Sequence, residues 1–548
     1  MKKAFAAFLS ASAALAAAAG PVPSKAQLSA LEKGVISIVH FGLNTFTGRE
    51  WGYGDTPPSV FNPANADPKQ WAAAAKAGGI RRMILVCKHH DGFCLWPSRF
   101  NGDYTVANSP WKGGQGDLVR ETRNAAIAAG IEFGAYLSPW DRHRADYATP
   151  AYTEYFHRQW AELMDGYGPI AEIWLDGANG GDGWYGGAKE TRKIPAAHIY
   201  YDHPRLLAAL RAKCPGAAVF GVNCDLTLRW PGNEKGIVPE KWDHVRNGVF
   251  QPPEADTPLR GKWFWHPNDR PKSLETLVEC YFASVGRGGI LNLGLAPDRT
   301  GRLAREDVER LKEFGDWTAA FNARDFAAGV RPEISRKGKK TVFRWTLPRP
   351  AVFDAVDFRE DLAHGLNVTA WELSADGRPL ASGAQAGYRR IVRLKESVRA
   401  RVVEIAAETD GNPARLSLSL RSVPPLRGGS AKAPPPRKTR EIRYTDRSGA
   451  RRDLLEADFG PGGKRVSGFT FSPAPAGRDL PKGWEAEIVP PGGGAPKKFS
   501  GEFSNIKANP IPQETDFPAP VEAEKIKLRA VPFHGEKAAF PRGSVKFQ

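Results

Sequence analysis

Short apolar runs alternate with helical patterns from residue 35 to about residue 297, and this alternation constrains the fold more than any other feature. Each apolar run has the length of a buried strand, and the helical stretches are typical of connections between parallel strands. We identify strands at 35–41, 83–88, 132–137, 171–175, 217–222, 243–249, 262–265 and 289–293. Helical patterns lie at 68–77, 118–129, 206–213 and 274–284. Repeated units of this kind predict an α/β fold with a (β/α)8-like barrel.

The pattern changes after a closing helix at 303–321. Apolar and polar residues then alternate at 341–347, 367–373 and 416–420, which is the period of half-buried strands. We therefore expect a barrel domain at 27–325 and a β-sandwich domain at 326–425. Residues 426–440 are rich in Pro, Gly and basic side chains and predict a linker. Residues 441–548 are again strand-rich and predict a second β-sandwich.

The first 26 residues predict a signal peptide. Lys2 and Lys3 precede an apolar run at 4–19, and small residues follow this run. The run is shorter than the ~20 apolar residues that span a bilayer, and no cysteine lies there to carry a lipid. We therefore expect a periplasmic or secreted protein without a membrane anchor.

The charge of the chain raises the question of a polyanionic partner. The 548 residues include 77 Lys and Arg against 60 Asp and Glu, a formal net charge of +17. Because acids are interspersed among these basic residues, except in the short stretch at 432–440, we predict a solvated basic surface and no nucleic-acid partner. The oligomeric state stays open.

The five cysteines are an odd number and contain no CxxC pair, so neither a disulfide framework nor a zinc site is predicted. We expect Cys87 and Cys94 to be isolated thiols, with a disulfide between them as the alternative.

Polar and aromatic residues interrupt the ends of the first four strands. Because the carboxyl ends of barrel strands face one shared pocket, we expect these side chains to lie together. They are His40, Glu50, Trp51, His89, His90, Tyr136, Trp174 and Asp176. Three histidines with carboxylates could bind a metal, but adjacent His89 and His90 are expected to face opposite ways on a strand. Imidazoles, indoles and carboxylates together favour a sugar, whose hydroxyls bind the polar groups and whose C–H face stacks on rings.

Glycoside hydrolysis usually requires two carboxyl groups, one ionised and one protonated. Asp176 follows the apolar run 173–175 and precedes a glycine, which favours a catalytic role over that of a turn-forming Asp-Gly. The loop at 228–236 offers Glu234 beside an arginine and a tryptophan. Burial against an indole would raise the pKa of this carboxyl and keep it protonated. The alternative for Glu234 is a solvated loop position.

The motifs resemble those of glycoside hydrolase family 29, the α-L-fucosidases. The matching stretches lie at 40–42, 50–52, 88–93, 174–177 and 289–298, and the likeness extends over residues 35 to 320. This resemblance implies a retaining double displacement without a metal or other cofactor, in which Asp176 matches the nucleophile. Seven further residues match positions that hold the fucose ring: His40, Glu50, Trp51, His89, His90, Tyr136 and Trp174.

The loop at 229–236 resembles that of the subgroup that prefers branched α-1,3/1,4-linked fucose. In that subgroup the residue matching Glu234 is the general acid/base. We add Arg229 from this loop to the predicted binding residues, together with Trp265, for which Trp263 is the alternative. The last segment of the chain resembles a discoidin-like module (coagulation factor 5/8 type C), with carbohydrate binding or a purely structural role both open.

The sequence therefore predicts an exported, retaining exo-α-L-fucosidase. The expected substrates are fucosylated oligosaccharides or glycoconjugates with terminal α-1,3/1,4-linked L-fucose. Three alternatives remain: a broad-specificity fucosidase acting on α-1,2 and α-1,6 linkages, a non-catalytic fucose-binding protein, and a protein that binds a polyanionic glycan or nucleic acid through its basic surface.

Overall fold

The computed structural model describes residues 21–194, 196–337, 340–409, 414–426, 441–449, 453–473, 479–503, 513–532 and 537–548. Most of the predicted signal peptide and of the predicted linker lies outside these residues. No helix within the described ranges is both long and apolar enough to cross a membrane.

Eight parallel strands form the barrel, which confirms the predicted fold class. They are β1 (Val35–Val39), β2 (Arg82–Lys88), β3 (Glu132–Leu137), β4 (Glu172–Trp174), β5 (Ala218–Phe220), β6 (Thr227–Leu228), β7 (Glu254–Pro258) and β8 (Ile290–Leu295). Their order in the sheet is β7-β8-β1-β2-β3-β4-β5-β6. A parallel bridge between Arg229 and Pro253 joins the ends of this row, so the barrel closes.

Helices cover the outside of the barrel. Most of them lie where the sequence pattern predicts helices, whereas Lys25–Lys33 and Pro150–Tyr167 were not predicted. The helices span Lys25–Lys33, Pro68–Ala77, Leu118–Ala128, Pro150–Tyr167, His203–Lys213, Leu274–Ser284 and Arg305–Ala323. Local capping explains several of the starts: the carboxylates of Asp67 and Asp117 and the hydroxyl of Ser273 accept hydrogen bonds from backbone N–H groups three residues later. These bonds satisfy donors that the first helical turn leaves without partners.

Two of the predicted strands are wrong. The sixth strand is the two-residue β6, whereas the predicted range 243–249 contains the short hairpin of Val245–Arg246 and Val249–Phe250. The seventh strand is β7, whereas residues 262–265 lie in an irregular segment beyond its end. Both strands escape a pattern search, because β6 is too short for any periodicity and β7 carries Glu254 and Asp256 among its five residues.

The amino-terminal end of the barrel contains a buried ionic cluster. Arg82 at the start of β2 donates to Glu172 at the start of β4 (2.8 Å), and both side chains are buried. Arg82 also donates to Glu132 on β3, at 2.7 and 3.0 Å. Burial, together with the charge of Glu172, raises the pKa of the adjacent Glu254 well above its usual range. Arg82, together with Lys33 at 2.6 Å from Glu132, thus compensates Glu132 and Glu172, whose charges the barrel end would otherwise disfavour.

We expect replacement of Arg82 by methionine to lower the free energy of unfolding by about 3 kcal/mol, because Glu172 would remain buried without its cation. Equilibrium denaturation with urea measures this change. Arg305→Met is the control, since Arg305 makes a solvent-exposed ion pair with Glu309 on a helix surface. Equal losses of stability in the two variants would contradict the assigned role of the buried cluster.

Antiparallel sheets make up the rest of the described chain. Six strands surround a second hydrophobic core: Glu333–Lys337, Lys340–Glu360, Val368–Ala375, Arg378–Gly383, Arg390–Thr409 and Leu416–Arg421. A third core lies between a five-stranded sheet (Thr445–Asp446, Leu454–Asp458, Lys525–Val531, Gly483–Val489, Lys497–Glu502) and a three-stranded sheet (Gln513–Ala523, Lys464–Phe471, Val545–Phe547). We call this unit, residues 441–548, the C-terminal β-domain.

Cys87 and Cys94 are both buried free thiols, as expected.

Candidate active site

A cavity of about 570 Å³ opens at the carboxyl ends of the barrel strands. Barrel residues form most of its wall: Ile38, His40, Glu50, Trp51, His89, His90, Trp174, Leu175, Asp176, Gly177, Ala178, Phe220, Gly221, Trp230, Glu234, Asp256 and Trp263. The strand-end positions singled out in the sequence therefore converge, because parallel strands deliver their ends to one face of a barrel.

Asp176 follows β4 and faces the cavity with 28% of its side chain exposed. Its Oδ2 accepts a hydrogen bond from the Tyr136 hydroxyl (3.1 Å), and its Oδ1 accepts one from the backbone N–H of Ala178 (2.8 Å). The bond to Ala178 is that of an Asx turn, so the turn-forming role and the place in the cavity coexist. These two donors hold the carboxylate in a single orientation toward the cavity.

Glu234 shares the cavity but has a different environment. Trp263 Nε1–H donates to Glu234 Oε2 (3.1 Å). Burial and then the negative charge of Asp256 raise the pKa of Glu234 well above its usual range. The shift favours the protonated form of this side chain, which is the form that a general acid requires. The sequence predicted burial against an indole, and the indole that contacts this carboxyl is Trp263.

Asp256 is a further carboxyl group on the cavity wall, and sequence analysis missed it. Its Oδ1 accepts a hydrogen bond from Trp230 Nε1–H (2.8 Å). Burial raises the pKa of Asp256 to about 7. The signal was present as an acidic residue inside a barrel strand, but the seventh strand was assigned to later residues.

The three predicted histidines lie together on the cavity wall. Burial lowers the pKa of His40 to about 3 and that of His90 to about 4, and it lowers the pKa of His89 well below its usual range. All three are therefore neutral near pH 7, and a neutral imidazole carries one donor and one acceptor nitrogen. The expectation that His89 and His90 face opposite ways is wrong: β2 ends at Lys88, and the two ring centroids are 4.1 Å apart.

A hydrogen-bond chain sets the tautomer of His90. The Ser138 hydroxyl donates to the carbonyl oxygen of Trp140 (2.7 Å) and lies 2.7 Å from His90 Nδ1. Because the hydroxyl has only one proton, it accepts from Nδ1–H, which leaves Nε2 of His90 as an acceptor. Nε2 lies 3.7 Å from Asp176 Oδ2. A sugar hydroxyl bound beside the carboxylate could donate its proton to this nitrogen.

Aromatic and acidic groups complete the wall. Glu50 Oε1 accepts from the backbone N–H of Trp263 (2.7 Å), which fixes the loop after β1 against the residues after β7. The Trp174 ring stacks on Phe220 with centroids 4.0 Å apart, and its Nε1–H donates to Glu254 (2.9 Å). Hydrogen bonds and ring stacking therefore hold Glu50 and Trp174 in place, and both side chains line the cavity.

Three of the predicted binding residues do not line the cavity. Tyr136 lies behind Asp176 and contacts it through the hydroxyl. Arg229 points away: its guanidinium donates to the carbonyl of Asp243 and lies over the Trp242 ring at 4.0 Å. Trp263 takes the place assigned to Trp265. The choice between these two tryptophans depended on where β7 ends, and the predicted strand at 262–265 lies beyond its observed end.

The barrel of this chain matches a known protein family. The family model described as Alpha-L-fucosidase matches residues 24–323, the whole of the barrel. The chain belongs to the α-L-fucosidase family. It is similar to α-L-fucosidase 1 of Arabidopsis thaliana, with 31% identity over 443 residues that cover 71% of this chain and 85% of the relative.

A solved structure extends the likeness beyond the barrel. The crystal structure of a glycoside hydrolase 29 family member from an unknown rumen bacterium matches 97% of this chain and 99% of its own, with 31% identity and a TM-score of 0.69. A relative from Oryza sativa subsp. japonica is 40% identical over 335 residues, and the match spans 57% of this chain and 61% of that protein. The predicted membership of this glycoside hydrolase family is confirmed.

Within the described residues of this α-L-fucosidase family member, no group of three or more His, Cys, Asp and Glu side chains is arranged to hold a metal ion.

The C-terminal β-domain also reaches the cavity, which the sequence did not predict. Lys482, Glu502 and Phe503 form part of the cavity wall. Lys482 Nζ lies 3.4 Å from Asp182 Oδ2, and Glu502 Oε1 lies 3.7 Å from Arg142 Nη1. Two ion pairs therefore join this domain to barrel loops at the site.

Proposed function

We propose that the chain is a retaining exo-α-L-fucosidase acting by double displacement. The observation that carries this proposal is the pair of carboxyl groups on one cavity wall, of which Asp176 is oriented by two hydrogen-bond donors and Glu234 has a raised pKa. Two carboxyl groups in contrasting environments are what glycoside hydrolysis uses.

In the first step, Asp176 attacks the anomeric carbon of fucose and the bond to the leaving oxygen breaks. Glu234 transfers its proton to that oxygen, so the leaving sugar departs neutral. In the second step, ionised Glu234 takes a proton from water, whose oxygen displaces Asp176 from the anomeric carbon. Two inversions retain the α configuration, and Glu234 recovers its proton for the next cycle.

The linkage preference is a finer part of the proposal. The sequence of the loop at 229–236 supports a preference for α-1,3/1,4-linked fucose. The hydrogen bond between Trp263 and Glu234 supports the role of Glu234 as general acid/base. We further propose that residues 1–26 direct export and that the C-terminal β-domain is discoidin-like. The apolar run at 4–19 supports the first statement, and antiparallel sheets around one core support the second.

Release of free fucose from two substrates tests this function. The enzyme is expected to hydrolyse both an aryl α-L-fucoside and a Lewis-type trisaccharide with α-1,3/1,4-linked fucose. Isomers with α-1,2 and α-1,6 linkages should react more slowly. Equal rates on all isomers would replace the linkage preference with broad specificity. Binding of fucose without turnover of any substrate would indicate a non-catalytic binding protein.

We expect Asp256→Asn to move the alkaline limb of the kcat/KM profile to lower pH, by about one unit. The negative charge of Asp256 contributes to the raised pKa of Glu234. Without that charge, Glu234 ionises at lower pH, and the acid loses its proton earlier as the pH rises. Asparagine keeps an oxygen that accepts from Trp230.

The pH dependence of kcat/KM between about pH 4 and 10 measures this shift. Asp225→Asn is the control, because Asp225 is exposed and pairs with Arg211 outside the cavity. An alkaline limb that stays in place in Asp256→Asn would contradict the electrostatic coupling.

A further inference from the structure

Lys482 and Glu502 lie side by side on neighbouring strands of the C-terminal β-domain. Lys482 precedes the strand Gly483–Val489, and Glu502 ends the strand Lys497–Glu502. Gly483 pairs with Glu502 in the antiparallel register, and the backbone N–H of Phe503 donates to the carbonyl of Lys482 (2.8 Å). The sheet therefore sets the positions of both side chains before any substrate binds.

Contacts with the barrel hold this edge of the sheet over the cavity. Asp182, which pairs with Lys482, belongs to a hairpin shortly after Asp176. Arg142, which pairs with Glu502, is fully buried and donates to the carbonyl oxygens of Gly52 and Asp182. The same arginine thus joins the loop after β1, the hairpin after β4 and the C-terminal β-domain. Such a connection gives Lys482 and Glu502 a defined place relative to Asp176.

The barrel supplies the most buried part of the cavity wall. His40, His90 and Glu50 are at most 5% exposed and lie deep. The side chains of Lys482 and Glu502 are 14% and 20% exposed and still line the cavity. An exo-acting enzyme encloses the terminal sugar in the deep part, so the rest of the glycan must leave through the mouth. Asp176, which attacks the anomeric carbon, is itself 28% exposed, so we place the leaving group in the less buried part of the cavity, to whose wall Lys482 and Glu502 also belong.

The chemistry of this pair fits a neutral sugar. An ammonium group donates hydrogen bonds and a carboxylate accepts them, which matches neighbouring hydroxyls of a pyranose. The two charged groups are 3.9 Å apart and also contact Asp182 and Arg142. Two cations and two anions leave this part of the mouth without net charge, which gives an anionic sugar no advantage.

We propose that Lys482 and Glu502 form a leaving-group subsite, in which the C-terminal β-domain binds the neutral pyranose that carries the fucose. This inference rests on the proposed fucosidase function. It assigns the domain a direct role in substrate specificity through residues more than 300 positions away from Asp176 in the chain.

The test compares Lys482→Met and Glu502→Gln with wild type on two substrates, an aryl α-L-fucoside and a neutral fucosylated trisaccharide. An aryl group offers no hydroxyls to this subsite, so the trisaccharide should lose more. We expect the ratio of kcat/KM for the trisaccharide to kcat/KM for the aryl substrate to fall about tenfold in each variant, mainly through KM.

Lys498→Met and Glu487→Gln are matched controls. These residues lie on the same two strands, pair with each other at 3.6 Å and do not line the cavity. Their substrate ratio should equal that of wild type. Thermal melting of all four variants shows whether the fold is retained, and a substrate ratio measured on folded protein is independent of the active fraction.

The outcomes distinguish this inference from the proposed function. Wild type that hydrolyses neither substrate overturns the function and the subsite together. Wild type that hydrolyses both, with unchanged ratios in Lys482→Met and Glu502→Gln, overturns the subsite alone. A larger loss in Lys482→Met for a sialylated trisaccharide than for the neutral one overturns the assignment to a neutral sugar.

Discussion

Asp176→Ala is expected to reduce kcat on the aryl fucoside and on the trisaccharide by about 10⁴-fold. Both substrates must form the covalent intermediate, so a better leaving group does not compensate for the missing carboxylate. The variant also leaves the Tyr136 hydroxyl and the Ala178 N–H without their acceptor, although the methyl group fits where the carboxylate was. Single-turnover release of the aryl alcohol measures the first chemical step.

A small anion distinguishes a nucleophile from a positioning residue. Azide can occupy the space that the shortened side chain leaves and attack the anomeric carbon from the same face as Asp176. The expected product is β-fucosyl azide, with inverted configuration, detectable by NMR. Asp225→Ala serves as the control and should retain wild-type rates, since Asp225 is an exposed residue outside the cavity. Undiminished turnover in Asp176→Ala would refute the mechanism.

Glu234→Ala is expected to lower kcat/KM for the two substrates to very different extents. Hydrolysis of the trisaccharide needs a proton on the leaving oxygen, so its kcat/KM should fall by about 10²- to 10⁴-fold. An aryl alcohol with a low pKa departs without that proton, so its kcat/KM should fall far less. The alkaline limb of the trisaccharide profile should also disappear, because the raised pKa of Glu234 causes that limb.

Glu234→Gln sharpens this comparison, because its amide oxygen can still accept from Trp263 Nε1–H while no acid proton is available. Similar results in the Ala and Gln variants would assign the effect to proton transfer. Equal losses on both substrates would instead indicate that another group, with Asp256 as the neighbouring candidate, protonates the leaving oxygen.

Much of the site was predictable because it depends on local patterns. Each of the first four strands is an apolar run that ends in a polar or aromatic residue, and the closed parallel sheet brings those ends together regardless of loop detail. His40, His89, His90 and Asp176 were therefore found by reading strand ends alone. Most of the helices could also be predicted, since their period and their capping residues lie within a few positions of each other.

The resemblance of motifs contributed what local patterns could not. Glu234 lies in an irregular loop whose sequence has no helical or strand periodicity. Its role was inferred from the likeness of the loop sequence at 229–236 to that of the family subgroup. The structure adds the physical reason for that role, which is burial beside Asp256 and contact with Trp263. Burial of a loop residue depends on the elements packed around it, and these are distant in sequence.

The sequence by itself determined the fold class, six of the eight barrel strands, most of the helices around them and the strand-end residues, because apolar periodicity and helix caps act over short distances. Only the tertiary structure decided the places of Asp256, of Trp263 rather than Trp265, and of Lys482 and Glu502. The strands β6 and β7 are held by their neighbours in a closed barrel rather than by their own patterns. Ion pairs between the C-terminal β-domain and the barrel join residues hundreds of positions apart, and no local pattern encodes such a contact.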